Sequence, residues 1–181
     1  MTERSEGVFG GDDADGRDID QNLSPGRVSP SMETLISQQA FFKGLTPSQI
    51  QKLAESALLM DFTKDQWIVQ EGEPANRFYI ILEGTVLMES ENQNGGGLAI
   101  QTLGPGDDLG WSWLFLPYYV HFSARAAGPV RTIFFYGTRL REQCESDHHL
   151  GYELMKRIAQ VVIERLEHLR EQLLATTVPK K

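Results

Sequence analysis

Between residues 58 and 136 the hydrophobic pattern runs at a period of two, and on both sides of that stretch it runs at a helical period. Seven short runs, 58–62, 67–70, 77–82, 85–89, 98–103, 122–126 and 130–136, are rich in β-branched and aromatic residues. Turn signals part them at Glu71-Gly72, Glu83-Gly84 and Asn94-Gly95-Gly96-Gly97. Seven or eight short strands with so little helix between them predict an antiparallel sandwich, β-roll or jelly roll inside a mainly β, α+β fold. The consecutive glycines read as a mobile hairpin tip, structural slack rather than a phosphate cradle.

The flanks are helical. Signals near Ser31 at Leu35 and Ile36 are followed by a break at Phe41-Phe42-Lys43-Gly44-Leu45. Thr46 is then a good N-cap, Pro47 takes the first helical position, and Ile50, Leu53, Ala54 and Ala57 follow at helical spacing. Beyond Gly137 the helical period returns through Leu140 and Cys144, and one long helix is expected over 148–174. On it Met155, Ala159, Val162, Leu166, Leu169 and Leu173 alternate steps of four and three, the spacing of a coiled-coil seam. Leu154, Ile158 and Val161 form a second row beside it. One row suits the chain's own roll and the other a second copy, so a homodimer through Met155, Val162, Leu166, Leu169 and Leu173 is expected. A single wide core-facing stripe in a monomer is the alternative.

Residues 1–30 hold seven acids, Glu3, Glu6, Asp12, Asp13, Asp15, Asp18 and Asp20, against three arginines. With Gly, Ser and Pro filling most of the rest, such a segment has too little apolar surface to offset its ordering entropy and reads as a disordered acidic tail. The chain is thus expected to divide into that tail, a helix-plus-roll domain over 31–147, a dimerisation helix over 148–174 and a short tail over 175–181.

Composition limits the chemistry. The formal net charge of -8 argues against unaided binding to a polyanion, because nucleic-acid affinity rests on Lys and Arg neutralising phosphates. Cys144 is the single cysteine, so neither an intramolecular disulfide nor a cysteine metal cluster is available, and a reducing compartment fits best. No signal-peptide core and no run of about 18 apolar residues occurs, so a cytoplasmic protein without a membrane partner is expected. There is no Gly-x-Ser-x-Gly elbow, Walker loop or His-Glu-x-x-His, and Cys144 has no activating base at a readable spacing. Catalysis is not expected.

Local matches sharpen the plan of helical preamble, eight-stranded roll and long last helix into a resemblance to the cyclic-nucleotide-binding family. Phe42-Lys43-Gly44-Leu45 with Ile50 and Leu53 resembles the family's entry helix. Gly72-Glu73-Pro74-Ala75 and Phe78-Tyr79-Ile80-Ile81-Leu82-Glu83-Gly84-Thr85-Val86 resemble its second to fourth strands. Gly104-Pro105-Gly106-Asp107-Asp108-Leu109-Gly110 has the outline of its phosphate-binding loop, and Gly110-Trp111-Ser112-Trp113-Leu114 is similar to a stand-alone bacterial variety. The resemblance covers about residues 35–174. It implies a non-catalytic regulatory module with cAMP or cGMP as ligand, structural glycines at Gly72, Gly84, Gly104 and Gly106, and a ligand loop containing Gly110, Trp111, Ser112, Trp113, Tyr119, His121 and Arg125.

The same resemblance exposes two losses. In ligand-competent members a Phe-Gly-Glu element opens a short helix whose Glu holds the ribose hydroxyl, and a Pro-Arg-Ser/Thr-Ala element brings a guanidinium to the phosphate. Here Trp111 stands in place of the Glu, while Val120 and His121 stand at the Arg and Ser/Thr positions. Truncating a charge-assisted bidentate contact in a buried site costs on the order of 2–5 kcal/mol, or roughly 30- to several-thousand-fold in affinity. Two residues could make up the loss. His121 could protonate beside the phosphate, in which case binding weakens as pH rises, or Arg125, four residues on and on the same face under strict alternation, could swing in. The aromatic loop could stack a purine or fill the pocket.

Three readings follow: a cyclic-nucleotide sensor with an atypical loop, a degenerate dimerisation or protein-interaction scaffold, and a cupin-like metalloenzyme. The last needs several inward histidines, and His148, His149 and His168 fall in the helical tail, leaving His121 alone on the roll. Family transcription factors carry a helix-turn-helix domain after the long helix, and seven residues follow Leu174 here. Direct DNA binding is therefore not expected, and a signal is expected to leave through an unidentified protein partner, the dimer or the acidic tail.

Overall fold

The computed structural model describes residues 30–91 and 97–177. The acidic segment, the tip of the glycine-rich hairpin and the last four residues lie outside the described residues. Two short helices open the described part, α1 (Met32–Ser37) and α2 (Pro47–Ala54). Ser31 caps the first, accepting from Thr34 N–H. Thr46 and Gln49 close a reciprocal capping box on the second, with Pro47 in its first turn.

Eight strands follow: β1 (Ala57–Phe62), β2 (Trp67–Val69), β3 (Arg77–Glu83), β4 (Val86–Glu91), β5 (Gly97–Leu103), β6 (Asp108–Leu109), β7 (Ser123–Ala126) and β8 (Val130–Tyr136). They form two four-stranded sheets in the orders β1-β8-β3-β6 and β2-β7-β4-β5, with every pairing antiparallel. Two helices close the chain, α3 (Gly137–Ser146) and α4 (His148–Thr177). Asp147 starts α4, its carboxylate accepting from Leu150 N–H at 3.0 Å. None of the described helices is long and apolar enough to cross a membrane.

Alternation along β3 and β8 divides the core in two. Tyr79, Ile81 and Phe134 point into the roll, where they meet Phe62, Val86, Met88, Leu103, Val120 and Ala124. Phe78, Ile80, Ile133 and Phe135 point the other way, onto Phe42, Leu53, Leu140, Leu150, Leu154 and Ile158 of the helices. A strand buried on both faces reads as a continuous apolar run, which is why 78–82 carries no polar residue. Gly84 lets the chain pass tightly from β3 in one sheet to β4 in the other: its φ is +92°, and a Cβ there would lie 2.2 Å from the Pro129 carbonyl oxygen.

Sequence and structure differ at β6. The segment from Gly104 to Gly110 reads as one glycine-rich turn, but Tyr79 and Ile80 of β3 pair with Leu109 and Asp108. A two-residue strand is too short for periodicity to show; its position is set by the tight turn before it. There Gly104 N–H donates to Asp107 Oδ2 at 2.7 Å, and Gly106 N–H to the Ile81 carbonyl at 2.8 Å. Helix α4 also continues to Thr177, three residues beyond the expected end.

Candidate functional site

The loop joining β6 to β7 leaves the sheet at Gly110. Its φ is +92°, and a Cβ would lie 2.4 Å from the Arg77 carbonyl oxygen, so the close approach of loop to β3 requires glycine. A 3₁₀ turn, Trp111–Leu114, follows. Trp113 is buried in the helix-side core, edge-on to Phe78 at 6.2 Å. Its carbonyl accepts from Arg141 Nη1 at 2.6 Å, and the same guanidinium lies over the Tyr118 ring at 4.5 Å. Arg141, which the sequence does not single out, thus fastens both ends of the loop to α3.

These contacts sort the expected ligand residues. Trp113 is a core anchor, and Ser112 is buried beside it. Tyr119 is half exposed, bridges Pro74 through its backbone, and lines neither of the cavities described below. Val120 turns into the roll core, its N–H donating to the Glu73 carbonyl at 2.9 Å. Arg125 lies away from both cavities. Ala124 and Ala126 are the inward residues of β7, so Arg125 faces the outside of the sheet, held by Asp65 and Glu89 at 2.8 Å each. Strict alternation from His121 fails because β7 begins at Ser123 and His121 lies before the pleat.

Trp111 and His121 do come together, with ring centroids 6.1 Å apart and planes tilted by 32°. Beneath them a recess of about 20 Å³ runs under Gly110, Trp111 and Ser112. Beside them opens a cleft of about 520 Å³. The roll contributes Glu71, Ser90, Trp111, His121 and Phe122 to its wall, and α4 contributes Val162, Arg165, Leu166 and Leu169. Three residues expected in the dimer seam, Val162, Leu166 and Leu169, therefore also face this cleft. Met155, Leu166 and Leu173 are at least half exposed, while Leu150, Leu154 and Ile158 form the buried row of α4.

Arg165 is the residue that sequence reasoning missed. It lines both the recess and the cleft, and its Nη2 donates to the backbone carbonyl of Asp108 and lies 3.4 Å from Asp108 Oδ1. Asp108 is buried on β6, and its Oδ2 has no hydrogen-bond partner. Burial pushes its carboxyl up, and the Arg165 charge offsets part of that push. The signal was present in the spacing: Arg165 stands three residues after Val162 and four before Leu169, a lone cation inside an apolar helical stripe.

The other expected residues fall as follows. Gly72 and Gly106 take left-handed φ of 83° and 93°, while Gly104 has neither a left-handed φ nor any atom within 4 Å of a Cβ position. His149 meets Gln49 at 3.1 Å on the helical side, and His168 meets Gln172 at 2.9 Å where α4 passes β5. Among the described residues no group of three or more His, Cys, Asp or Glu could hold a metal ion.

A two-layer roll crossed by a long helix, with a glycine-opened loop and a cleft between loop and helix, defines the class of β-roll domain to which this chain's fold belongs. The sequence profile of the cyclic nucleotide-binding domain matches residues 59–147. The chain is 33% identical to a candidate cyclic nucleotide-binding protein from Geobacter metallireducens GS-15, over 76% of this chain and 99% of that one, with a TM-score of 0.68. It belongs to the cyclic nucleotide-binding domain family. It is also 26% identical, over 82% of its length, to a CRP-like cAMP-activated global transcriptional regulator of Mycobacterium tuberculosis, and spans 66% of that curated relative. A cyclic nucleotide-binding domain from Methylobacillus flagellatus KT shares the fold at 18% identity, with a TM-score of 0.69 over 83% of this chain and 84% of that one.

Proposed function

We propose that this chain is a non-catalytic, cytoplasmic regulatory module that senses a nucleotide-type ligand, cAMP or cGMP first among them. The observation that carries this reading is the cleft of about 520 Å³ walled jointly by the roll and α4. A ligand shifts an equilibrium only through differential affinity for two arrangements. A site with a third of its lining residues on a helix supplies that difference whenever the helix moves against the roll. The apolar seam of α4 pairs two copies, and a partner protein reads the change.

A specific observation favours a second reading, a scaffold that binds no nucleotide. Val120 is packed into the roll core where the family resemblance places the phosphate-binding arginine, and the recess under the loop, at about 20 Å³, holds about one water. Calorimetric titration of nucleotide-free protein with cAMP and cGMP separates the two. The sensor reading expects saturable heat at micromolar to tens of micromolar ligand. Silence up to millimolar concentrations leaves the scaffold.

A further inference from the structure

We propose that Arg165, delivered from α4 rather than from the roll, is the cation that receives the anionic group of the ligand, and that Asp108 positions it. This rests on the sensor reading and adds to it the residue that takes over from the arginine missing at Val120.

A guanidinium presents five N–H donors along more than one edge. In Arg165 only Nη2 is engaged, by the carbonyl and carboxylate of Asp108. Its Nε and Nη1 make no hydrogen bond to the described residues, although the side chain is only 12% exposed. A nearly buried guanidinium with unused donors, lining the recess under Gly110 and Ser112 as well as the open cleft, is a built half-site for an oxyanion. Asp108 fixes its direction from a buried strand, so little side-chain freedom remains to be lost when an anion arrives. The recess is too small for a phosphate, so the anionic group reaches Arg165 from the cleft.

The rest of the cleft selects what the anion is attached to. Trp111, His121 and Phe122 offer flat or aromatic faces, and Leu166 and Leu169 an apolar wall, which together suit a planar heterocycle. Glu71 carries a carboxylate that repels an anion and accepts from hydroxyls; it already takes one such bond from Ser90 Oγ at 3.1 Å. One cation, one hydroxyl acceptor and an aromatic platform describe a nucleoside carrying a phosphate. The order differs from that implied by the family resemblance, because the cation comes from the helix that must move. Binding the anion and fixing α4 against the roll are then the same event.

The test uses the full chain labelled with ¹⁵N, following the Arg165 Nε–H resonance during separate titrations with cAMP and with inorganic phosphate, alongside calorimetry of wild type, Arg165→Gln and Arg165→Lys. The expected result is a saturable shift of that resonance with both probes. With it comes a cAMP affinity lowered roughly 30-fold or more in Arg165→Gln and less in Arg165→Lys, which keeps the charge without the fork. Adenosine, with the ring but no anion, should bind wild type and Arg165→Gln alike. If cAMP binds and the resonance stays still, or Arg165→Gln binds within threefold of wild type, the assignment of Arg165 is overturned while the sensor reading stands. If no cyclic nucleotide binds but phosphate moves the resonance, the anion site stands and the sensor reading falls. Silence of both probes overturns both. Because the resonance is read on wild-type protein, the test survives an Arg165→Gln variant that fails to fold.

Discussion

Arg125 and Arg165 carry the same guanidinium, and the direction in which the backbone presents it separates them. Arg125 stands on the outer side of a pleated strand, saturated by Asp65 and Glu89, whereas Arg165 is pinned through one nitrogen on the inner face of a helix. Arg125→Gln should therefore leave cAMP affinity within about twofold of wild type, since rim charges contribute little, and a larger loss in calorimetry would return Arg125 to the site. The same logic of burial governs Cys144. Burial, with Asp147 and Glu145 nearby, pushes its thiol up to about 11. Only the thiolate reacts, so alkylation of native protein at neutral pH should run about 100-fold slower than that of an exposed cysteine and recover in denaturant. Rapid native labelling would show that α3 opens away from α4. Residue roles were the least legible part of the chain because they depend on which face a side chain takes. Trp111, Trp113, Tyr119 and His121 are neighbours in sequence, yet one is a core anchor, one is exposed, and two stack at the cleft.

Among the elements, β3 and α4 show why the fold was legible and the site only partly so. The run 78–82 is apolar at every position because both faces of β3 are buried, and its short length, its β-branched and aromatic residues and the Gly72 and Gly84 turns that flank it mark it as a strand. Phe135, which pairs opposite Phe78 on the helix-facing side, is fully buried. Phe135→Ala should cost about 3–5 kcal/mol in chemical denaturation without altering the roll's register. The seam of α4 was legible as spacing, but spacing cannot tell which stripe meets the roll, a ligand or a second copy. That is decided by where α4 starts, and Asp147 sets the start. One turn into the helix, Glu153 takes hydrogen bonds from Lys156 at 2.7 Å and Arg157 at 2.6 Å, and Arg157 reaches on to the Lys43 carbonyl at 2.6 Å. Held by Lys156 first and Arg157 second, the Glu153 carboxyl titrates at about 2 rather than its ordinary 4.5. A carboxyl lowered in the folded state contributes stability above the unfolded value and loses it as pH falls. Wild type should therefore weaken as pH drops from about 4.5 towards 2, and Glu153→Gln should reduce that slope while lowering stability at neutral pH. An unchanged acid slope in Glu153→Gln would mean that this network does not hold α4 to the preamble.

At the scale of the whole molecule, one helix presents three different stripes. Leu150, Leu154 and Ile158 fix α4 to the domain, Arg165 reaches Asp108 of β6, and Met155, Leu166 and Leu173 stand at least half exposed, where the proposed dimer has its seam. A stripe of exposed leucines at heptad spacing is poorly tolerated by a monomer. The wild-type chain should therefore run as a dimer in light scattering, and Met155→Glu combined with Leu173→Glu, two seam positions outside the cleft wall, should run as a folded monomer. Val162, Leu166 and Leu169 line the cleft and also stand in the proposed seam, so ligand binding and dimerisation, sharing these side chains, should be thermodynamically linked. Whatever factor ligand adds to dimer affinity, dimerisation must add to ligand affinity. Sedimentation of the wild type with and without saturating cAMP should show the dimer constant shifting by about 5- to 150-fold, the usual span of such couplings, and the monomeric variant should bind cAMP more weakly or more tightly by the matching factor. Equal dimer constants in the two conditions would mean that ligand and partner use α4 independently, and the signal would then have to leave through the roll.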